Sequence, residues 1–303
     1  EFVERQNSYG LSVSLIGKDE ARQRQPAFSK DIIGSTYSAM DCEVNPIYLS
    51  LGFFRSAKKY GAKAMLATEV KDIKVKDGRV EGVVTDKGDI ATHTVVNACG
   101  VYAPFIGNMV GIKVPIVPRR GQIIVSEAVA PLVHGDINCA RYITAKFNPE
   151  LLGQGESARL GIGLSLGQTE NGNLLIGGTR EFVGYDRRTT HAALREILKH
   201  ASNLVPALKD VSIIHSFSGL RPYTPDGLPI LGPVPNLKGF YMAAGHEGDG
   251  IALSAITGRL MCDVITEGST TIDIDMKQLS IERFKEDDVN DFWTSHNCNG
   301  HTF

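Results

Sequence analysis

The sequence predicts an α/β protein of the α+β kind, built from two interleaved regions. Three observations carry this. Residues 46–110 and 213–268 alternate strand-like and helix-like runs, the texture of βαβ units. Residues 1–45 and 111–212 show short strand-like runs between Gly, Pro and Asn turns. Each texture is interrupted and then resumes, so both regions are discontinuous along the chain. Residues 269–303 hold seven acidic and three basic residues and are expected to form a peripheral C-terminal tail.

The elements follow in order. The polar stretch Gly17–Pro26 is helix-compatible and stops at Pro26. Gly34–Met40 is strand-like. Asn45 and Pro46 form a helix start, with Pro at the first helical position. Apolar residues at 47, 48, 51, 53, 54 and 57 give the helix to Tyr60, which ends at Gly61. Ile73–Lys76 and Val80–Thr85 flank Asp77-Gly78, a strong hairpin signal, and a second turn falls at Lys87-Gly88. Thr94–Gly100 reads as a buried strand and Tyr102–Val110 as a helix.

Further strands are expected at Gly121–Val125, Tyr142–Ala145, Leu160–Leu166 and Leu174–Thr179. One long helix, Thr190–Leu204, has a single apolar face and Thr189 or Thr190 as its cap. Val211–Phe217 returns to strand, and Gly219–Pro235 reads as a Gly/Pro-rich loop. Gly239–Ala244 is a strand, followed by a glycine turn and the helix Ile251–Thr266.

Composition excludes several classes. Of the 303 residues, 42% are apolar and 22% charged, the balance of a folded protein. The net charge of −2 gives no basic excess for nucleic acid. No run approaches the roughly 18 apolar residues of a membrane span. Five cysteines without a CxxC pair argue against a disulfide framework and a zinc site, and no metal is expected. The histidines at 93, 134, 191, 200, 215, 296 and 301 lack ligand spacing. Glu1–Arg5 has no signal-peptide pattern, so a cytoplasmic location is expected.

Three segments are suited to chemistry. Gly239–Gly258 (GFYMAAGHEGDGIALSAITG) runs from strand through glycine turn into helix. Glycines at 245, 248 and 250 let a ligand approach the backbone, and the helix N-terminus favours negative charge. Close strand–helix packing explains the same glycines. Arg221, in Ser218–Gly232 (SGLRPYTPDGLPILG), suits a bidentate carboxylate grip. A stiffening pair with Asp226 is the alternative. Val95–Gly100 ends a strand where open α/β sheets bind ligands, or is an ordinary connection. Nothing around Cys99 lowers its pKa, so it reads as a packing residue. Gly161–Gly167 imitates a dinucleotide glycine run, but its GxGxxxG spacing and context point to a Gly-rich strand. No strand–GxGxxG–helix fingerprint occurs anywhere.

The segments SGLRPYTPDGLPILGP and KGFYMAAGHEGDGIALSAITG closely resemble the C-terminal signature of the D-amino acid oxidase/glycine oxidase superfamily. VNPIYLSLGFFRSAKKYGAKAMLATEVKDI, TVVNACGVYAPFIGNMVG and VPIVPRRGQIIVSE resemble it too, in the family's order. The chain looks most similar to sarcosine oxidase beta-subunit-like and proline or opine dehydrogenase-like members, over about residues 10–268. The family opens with a GxGxxG unit that is not seen here, so the chain resembles a member lacking that N-terminal part. Its fold is therefore expected to be a discontinuous FAD-binding Rossmann-like domain remnant (46–110 and 213–268) plus an antiparallel β-sheet substrate domain (1–45 and 111–212). The strands Thr94–Ala98 and Phe240–Ala244 are then expected to expose an apolar face, unless a second chain or the tail covers it.

The resemblance implies an FAD-dependent amino acid or amine dehydrogenase or oxidase. Val70 would hold the adenine end of FAD; Ala98, Cys99 and Gly100 would lie near its pyrophosphate and ribitol. Gly219 and Leu220 would lie near the flavin ring. Gly245, His246, Glu247, Gly248, Asp249, Gly250 and Ile251 would meet its pyrimidine edge. Arg221 would clamp the substrate carboxylate near the Gly245–Gly250 turn, with Tyr142, Tyr223 and His246 lining the substrate site. Gly219 stands about where monomeric sarcosine oxidases carry a flavin-linked cysteine, so the FAD is expected to be non-covalent. The implied reaction moves the α-hydrogen to flavin as hydride and leaves an imine that hydrolyses. The implied partners are a small amino acid or secondary amine, and a partner subunit or an N-terminal segment completing the FAD site. The rival readings are a non-catalytic binding module that no longer holds FAD alone, and an NAD-dependent dehydrogenase, which the missing fingerprint disfavours.

Overall fold

The computed structural model describes residues Phe2 to His296. The elements begin with α1 (Phe2–Ser8), β1 (Val13–Gly17), α2 (Lys18–Arg24), β2 (Gly34–Ser38) and α3 (Pro46–Lys59). Next come β3 (Val70–Lys76), β4 (Arg79–Thr85), β5 (Gly88–Ala91), β6 (Val95–Asn97), α4 (Ala103–Asn108) and β7 (Val117–Ala128). β8 (Ile137–Asn138), α5 (Ala140–Phe147), α6 (Glu156–Arg159), β9 (Ser165–Gln168), β10 (Asn173–Gly177) and α7 (His191–Leu204) follow. The chain continues through β11 (Ile213–Tyr223), β12 (Ile230–Pro233), β13 (Phe240–Ala244), α8 (Gly250–Glu267) and α9 (Glu286–Ser295).

Two compact units form, each discontinuous in sequence. The first comprises Glu1–Asn45, Arg120–Glu181 and Arg187–Gly219; the second comprises Pro46–Arg119, Phe182–Asp186 and Leu220–Phe303. Residues 111–119 thus group with 46–110, and 213–219 group with the β-rich unit, unlike the expected boundaries. The physical reason is that β7 and β11 are long strands that pass from one unit to the other.

The first unit centres on a sheet of order β11-β7-β10-β9-β8. The β7–β10, β10–β9 and β9–β8 pairs are antiparallel. Leu164, Leu166, Leu174 and Ile176 are fully buried against Ala193, Ile197 and Ala201, the apolar face of α7. Each such aliphatic side chain contributes about 1.5–3 kcal/mol on burial. Thr190 caps α7, its hydroxyl accepting from the Ala193 N–H at 3.3 Å. Beside β10 a buried polar cluster forms on β7, in which Glu181 accepts from Arg120 (2.8 Å), Gln122 (2.7 Å) and Thr179 (2.7 Å). β1 and β2 form a separate antiparallel pair.

The second unit holds two three-stranded sheets, β12-β13-β6 and β3-β4-β5. β13 runs parallel to β6 and antiparallel to β12. The parallel pair requires a crossover, and long intervening chain supplies it. Asp77-Gly78 makes the β3–β4 hairpin, with both residues at positive φ. α8 leaves β13 through residues 245–249 and ends at Gly268 in the left-handed conformation (φ 75°).

Several sequence expectations need correction. Tyr142–Ala145 is helical, within α5, because Cys139 opens a turn that Ala140–Phe147 continues. Leu160–Leu166 is strand only from Ser165 onward; Gly161 (φ 56°) breaks the run. Gly219–Pro235 is not a loop, since β11 extends to Tyr223 and β12 occupies Ile230–Pro233. β13 is covered on one face, with Phe240, Met242 and Ala244 at 0–2% exposure, packed on Val80, Val114, Ile116 and Ile230. On its other face Tyr241 and Ala243 are half-buried in a cluster with Met276 and Leu279 of the C-terminal stretch, and Val96 of the neighbouring β6 is 39% exposed, so the expected open apolar face is present in part; α3 buries none of its residues. The expected tail is an integral part of its unit through Leu279, Val289 and Phe292, all buried. Its last residues, 297–303, lie outside the described residues, as do Cys298 and His301.

Candidate functional site

The second unit concentrates its buried charge where β11, β7 and the turn before α8 meet. Strand geometry puts Arg221 and Tyr223 on one side of β11, two residues apart. Arg119 lies in β7, and Glu247 in the turn after β13. Arg119 and Glu247 form a hydrogen-bonded ion pair with side chains only 6% and 5% exposed. Arg221 Nε lies 3.8 Å from the same Glu247 carboxylate oxygen, its side chain 25% exposed.

The turn is held in place by its backbone. Glu247 adopts φ 50°, a left-handed conformation that is costly for a non-glycine residue. Its N–H donates to the Pro222 carbonyl at 3.0 Å, tying the turn to the strand that carries Arg221. Gly245 (φ 87°) begins the turn; a Cβ there would stand 2.6 Å from Thr224 Cγ2. At Gly248 and Gly250 the nearest atoms would be Arg221 Cδ at 3.7 Å and His246 Cβ at 3.3 Å. Of the three glycines, Gly245 is therefore a packing requirement, and Gly248 leaves room over the turn.

Electrostatics follow from this arrangement. Burial works to raise the Glu247 carboxyl, but Arg119 and then Arg221 outweigh it and hold its pKa below the usual carboxylate range. The site therefore keeps two guanidinium groups around one carboxylate. Arg119 is fixed on its other side by aromatic rings, 4.4 Å from Tyr223 and 5.9 Å from Phe182. Tyr223 packs on Phe182 at 5.2 Å and on Phe292 of α9 at 6.1 Å. His246 Nε2 lies 2.9 Å from Thr257 Oγ1, and burial pushes the ring's pKa down, with Asp249 opposing.

The other expected site residues are placed as follows. Val70 opens β3 opposite Thr85 and is half-buried. Ala98 and Cys99 are exposed beyond the end of β6, and Gly100 (φ 55°) starts a short 3-10 turn that no side chain caps. Partial desolvation raises the Cys99 thiol, consistent with an unreactive cysteine. Leu220 is half-buried beside Arg221 on β11, while Gly219 belongs to the first unit and has open space where a Cβ would stand. Tyr142, also in the first unit, carries Arg180 over its ring at 4.4 Å. Asp249 and Ile251 flank the start of α8, which has no side-chain cap, and Ile251 is 48% exposed.

Two features were not anticipated from sequence. Asp226 does not pair with Arg221; Arg283 holds it, through Nε at 2.7 Å. Arg119 was not singled out, although VPIVPRRGQIIV carried the signal. Two arginines inside an apolar strand must find buried partners, and here Arg119 takes Glu247 and Arg120 takes Glu181. Among the described residues, no group of three His, Cys, Asp or Glu is arranged to hold a metal.

Known proteins share this framework. The hydrogen cyanide synthase subunit HcnC of Pseudomonas aeruginosa is 31% identical over 264 residues, spanning 86% of this chain and 58% of its own length. The glycine oxidase of Geobacillus kaustophilus is 30% identical, spanning 88% of this chain and 65% of its own. The chain therefore spans about three fifths of the length of these curated relatives. Among solved structures, the L-proline dehydrogenase of P. horikoshii superposes with a TM-score of 0.82 at 28% identity, covering 93% of this chain and 71% of that one. The Geobacillus kaustophilus glycine oxidase structure gives 0.78 at 29% identity, covering 92% and 69%. The family model described as DAO, FAD dependent oxidoreductase, matches residues 1–264, and the chain belongs to that family.

Proposed function

We propose that this chain oxidises the C–N bond of a small amino acid or secondary amine, as part of an FAD-dependent dehydrogenase or oxidase in which Arg221 binds the substrate carboxylate. The observation that carries this is the seat of Arg221: its guanidinium lies against the Gly245–Gly250 turn, 3.8 Å from Glu247. A cationic group on a rigid strand beside an uncapped helix start is suited to orienting an anionic substrate.

The residues present fit an FAD ring edge. α8 begins without a side-chain cap, so its first N–H groups and positive dipole end suit negative charge. Gly248 is exposed and a Cβ there would have only the Arg221 side chain nearby, so the backbone is open to close approach. When bound, FAD supplies the acceptor for the substrate hydride. Under this reading Gly245, His246, Glu247, Gly248, Asp249, Gly250 and Ile251 hold its pyrimidine edge non-covalently. Val70, Ala98, Cys99, Gly100, Gly219 and Leu220 contribute along the rest of its length. Arg221 fixes the substrate carboxylate, and Tyr223 and His246 line the space around it. A partner subunit or a further segment supplies the remaining FAD contacts.

The test is reconstitution with FAD followed by anaerobic mixing with a panel of small amino acids and N-methyl amino acids. Bleaching of the flavin band by members of that panel is the expected result. A chain that takes up FAD yet is reduced by none of them would exclude the amine reaction. A chain that stays colourless alone and with its natural partners would favour the binding-module reading.

A further inference from the structure

We propose that Glu247 is a positioning residue: its carboxylate, anchored by Arg119, sets the direction of the Arg221 guanidinium. The inference rests on the reading of Arg221 given above.

Four observations converge. Glu247 is buried, yet it is ionised, because two arginines surround it. Its backbone occupies the left-handed region at φ 50°, a conformation that glycine would adopt at no steric cost. A glutamate there carries a backbone strain that glycine would not, and the ion pair its side chain makes with Arg119 offsets it. The N–H of Glu247 donates to Pro222, the residue after Arg221, so the carboxylate and the arginine share one rigid frame. Arg119 cannot swing away, because the Tyr223 ring covers it at 4.4 Å and it is 95% buried.

The geometry separates anchoring from steering. Glu247 Oε1 hydrogen-bonds to Arg119 and approaches Arg221 from the Nε side at 3.8 Å. That separation exceeds a hydrogen bond. Glu247 therefore acts on Arg221 through its charge, and draws the Nε edge inward toward the turn. The planar fork is rigid, so fixing one edge orients the other. A neutral residue of the same shape would keep the packing and lose the steering.

The experiment uses the flavin-loaded protein and its Glu247→Gln and Glu247→Asp variants, with arginine Nε–Hε NMR and steady-state kinetics on glycine, sarcosine and proline. Arg120 is the internal control, since its partner is Glu181. In Glu247→Gln the Arg221 Nε–Hε signal is expected to lose order and exchange faster with water, with Arg120 unchanged. On whichever of the three substrates is turned over, kcat is expected to fall about tenfold. KM should rise less than kcat falls, because removing a negative charge also favours anion binding. Glu247→Asp, which keeps the charge, should recover part of both signals. An unchanged Arg221 signal in a folded Glu247→Gln protein overturns the proposal. So does a fall in kcat with no change in Arg221 order, or an Asp variant no better than Gln. Failure of the Arg221 reading itself shows separately: Arg221→Lys would then leave kcat/KM unchanged, whatever Glu247→Gln does. Should Glu247→Gln fail to fold, Glu247→Met carries the NMR comparison as the neutral variant, and an Arg221 signal as ordered there as in the parent overturns the proposal.

Discussion

Arg283 closes a fork on Asp226, donating from Nε to Oδ2 at 2.7 Å and from NH2 to Oδ1 at 3.1 Å. The same guanidinium also donates to the Leu228 carbonyl at 2.8 Å, so residues near the C-terminus staple the Asp226–Leu228 turn. Arg283 is mostly buried and Asp226 is 35% exposed at its side chain, so solvent screens part of the attraction. Asp226→Asn is expected to cost about 1 kcal/mol in chemical denaturation, the upper end for a partly exposed pair. Burial works to raise the Asp226 carboxyl, but the Arg283 bonds outweigh it and leave the pKa lowered. The stabilisation is thus complete above the unfolded carboxylate value of about 3.9 and is lost as pH falls through the lower folded value. The Asn variant should lack that acid-side component, and equal acid slopes in the two proteins would contradict the assignment.

Arg221 should behave differently, since Asp226 is engaged elsewhere. Arg221→Lys keeps the charge but loses the planar fork. In flavin-loaded protein it is expected to lower kcat/KM by more than about tenfold, roughly 1.4 kcal/mol of transition-state binding. Flavin content should stay within error of the parent. Kinetics at matched flavin content check this; a parent-like kcat/KM would make Arg221 a structural partner of Glu247 only.

His246 predicts a pH effect of its own. Burial lowers its pKa and Asp249 only partly opposes this, so the folded state favours the neutral ring. The unfolded chain takes up a proton more readily below about pH 6.5. Stability should therefore be complete above that value and decline as pH falls through 6.5 toward the lower folded value. His246→Asn removes this titration while offering Thr257 a polar neighbour. Denaturation midpoints between pH 5 and 8 should fall less on acidification in the variant; parallel curves would count against it.

Much of the architecture was legible in the chain, for local reasons. Asn45-Pro46 started α3, Asp77-Gly78 made the hairpin, and Thr190 capped α7 because each is a short-range steric or hydrogen-bonding rule. Tyr142–Ala145 misled because a run of four residues has no period long enough to separate strand from helix. The Pro-rich stretch after Gly219 hid the end of β11, since Pro222 can sit in a strand when its missing donor is not needed there. At the site, the motif residues Arg221 and Glu247 were visible, but their pairing was not. Arg119 reaches Glu247 across 128 residues of sequence, a relation that only the tertiary fold creates.

The glycines of the turn make the last prediction, and they separate packing from access. A Cβ on Gly245 would meet Thr224 Cγ2 at 2.6 Å and would require φ 87°, where L side chains are strained. The strain alone costs of the order of 1–3 kcal/mol. Thr224 is fully buried and its hydroxyl donates to the Leu228 carbonyl at 2.8 Å, so it cannot move aside freely. Gly248 has neither restriction: its φ is not in the left-handed region, and a Cβ would stand at ordinary contact, 3.7 Å, from the Arg221 side chain. Gly245→Ala should therefore destabilise the fold by at least about 2 kcal/mol, whether or not flavin is present. Gly248→Ala should leave the stability of the flavin-free protein within about 0.5 kcal/mol of the parent. If a cofactor edge approaches the backbone at Gly248, the same alanine should weaken FAD retention measured by ultrafiltration. Unfolding curves and FAD retention for the two variants give opposite rankings on this view. A Gly248→Ala protein that holds FAD as the parent does would move the cofactor edge away from Gly248 and onto the start of α8.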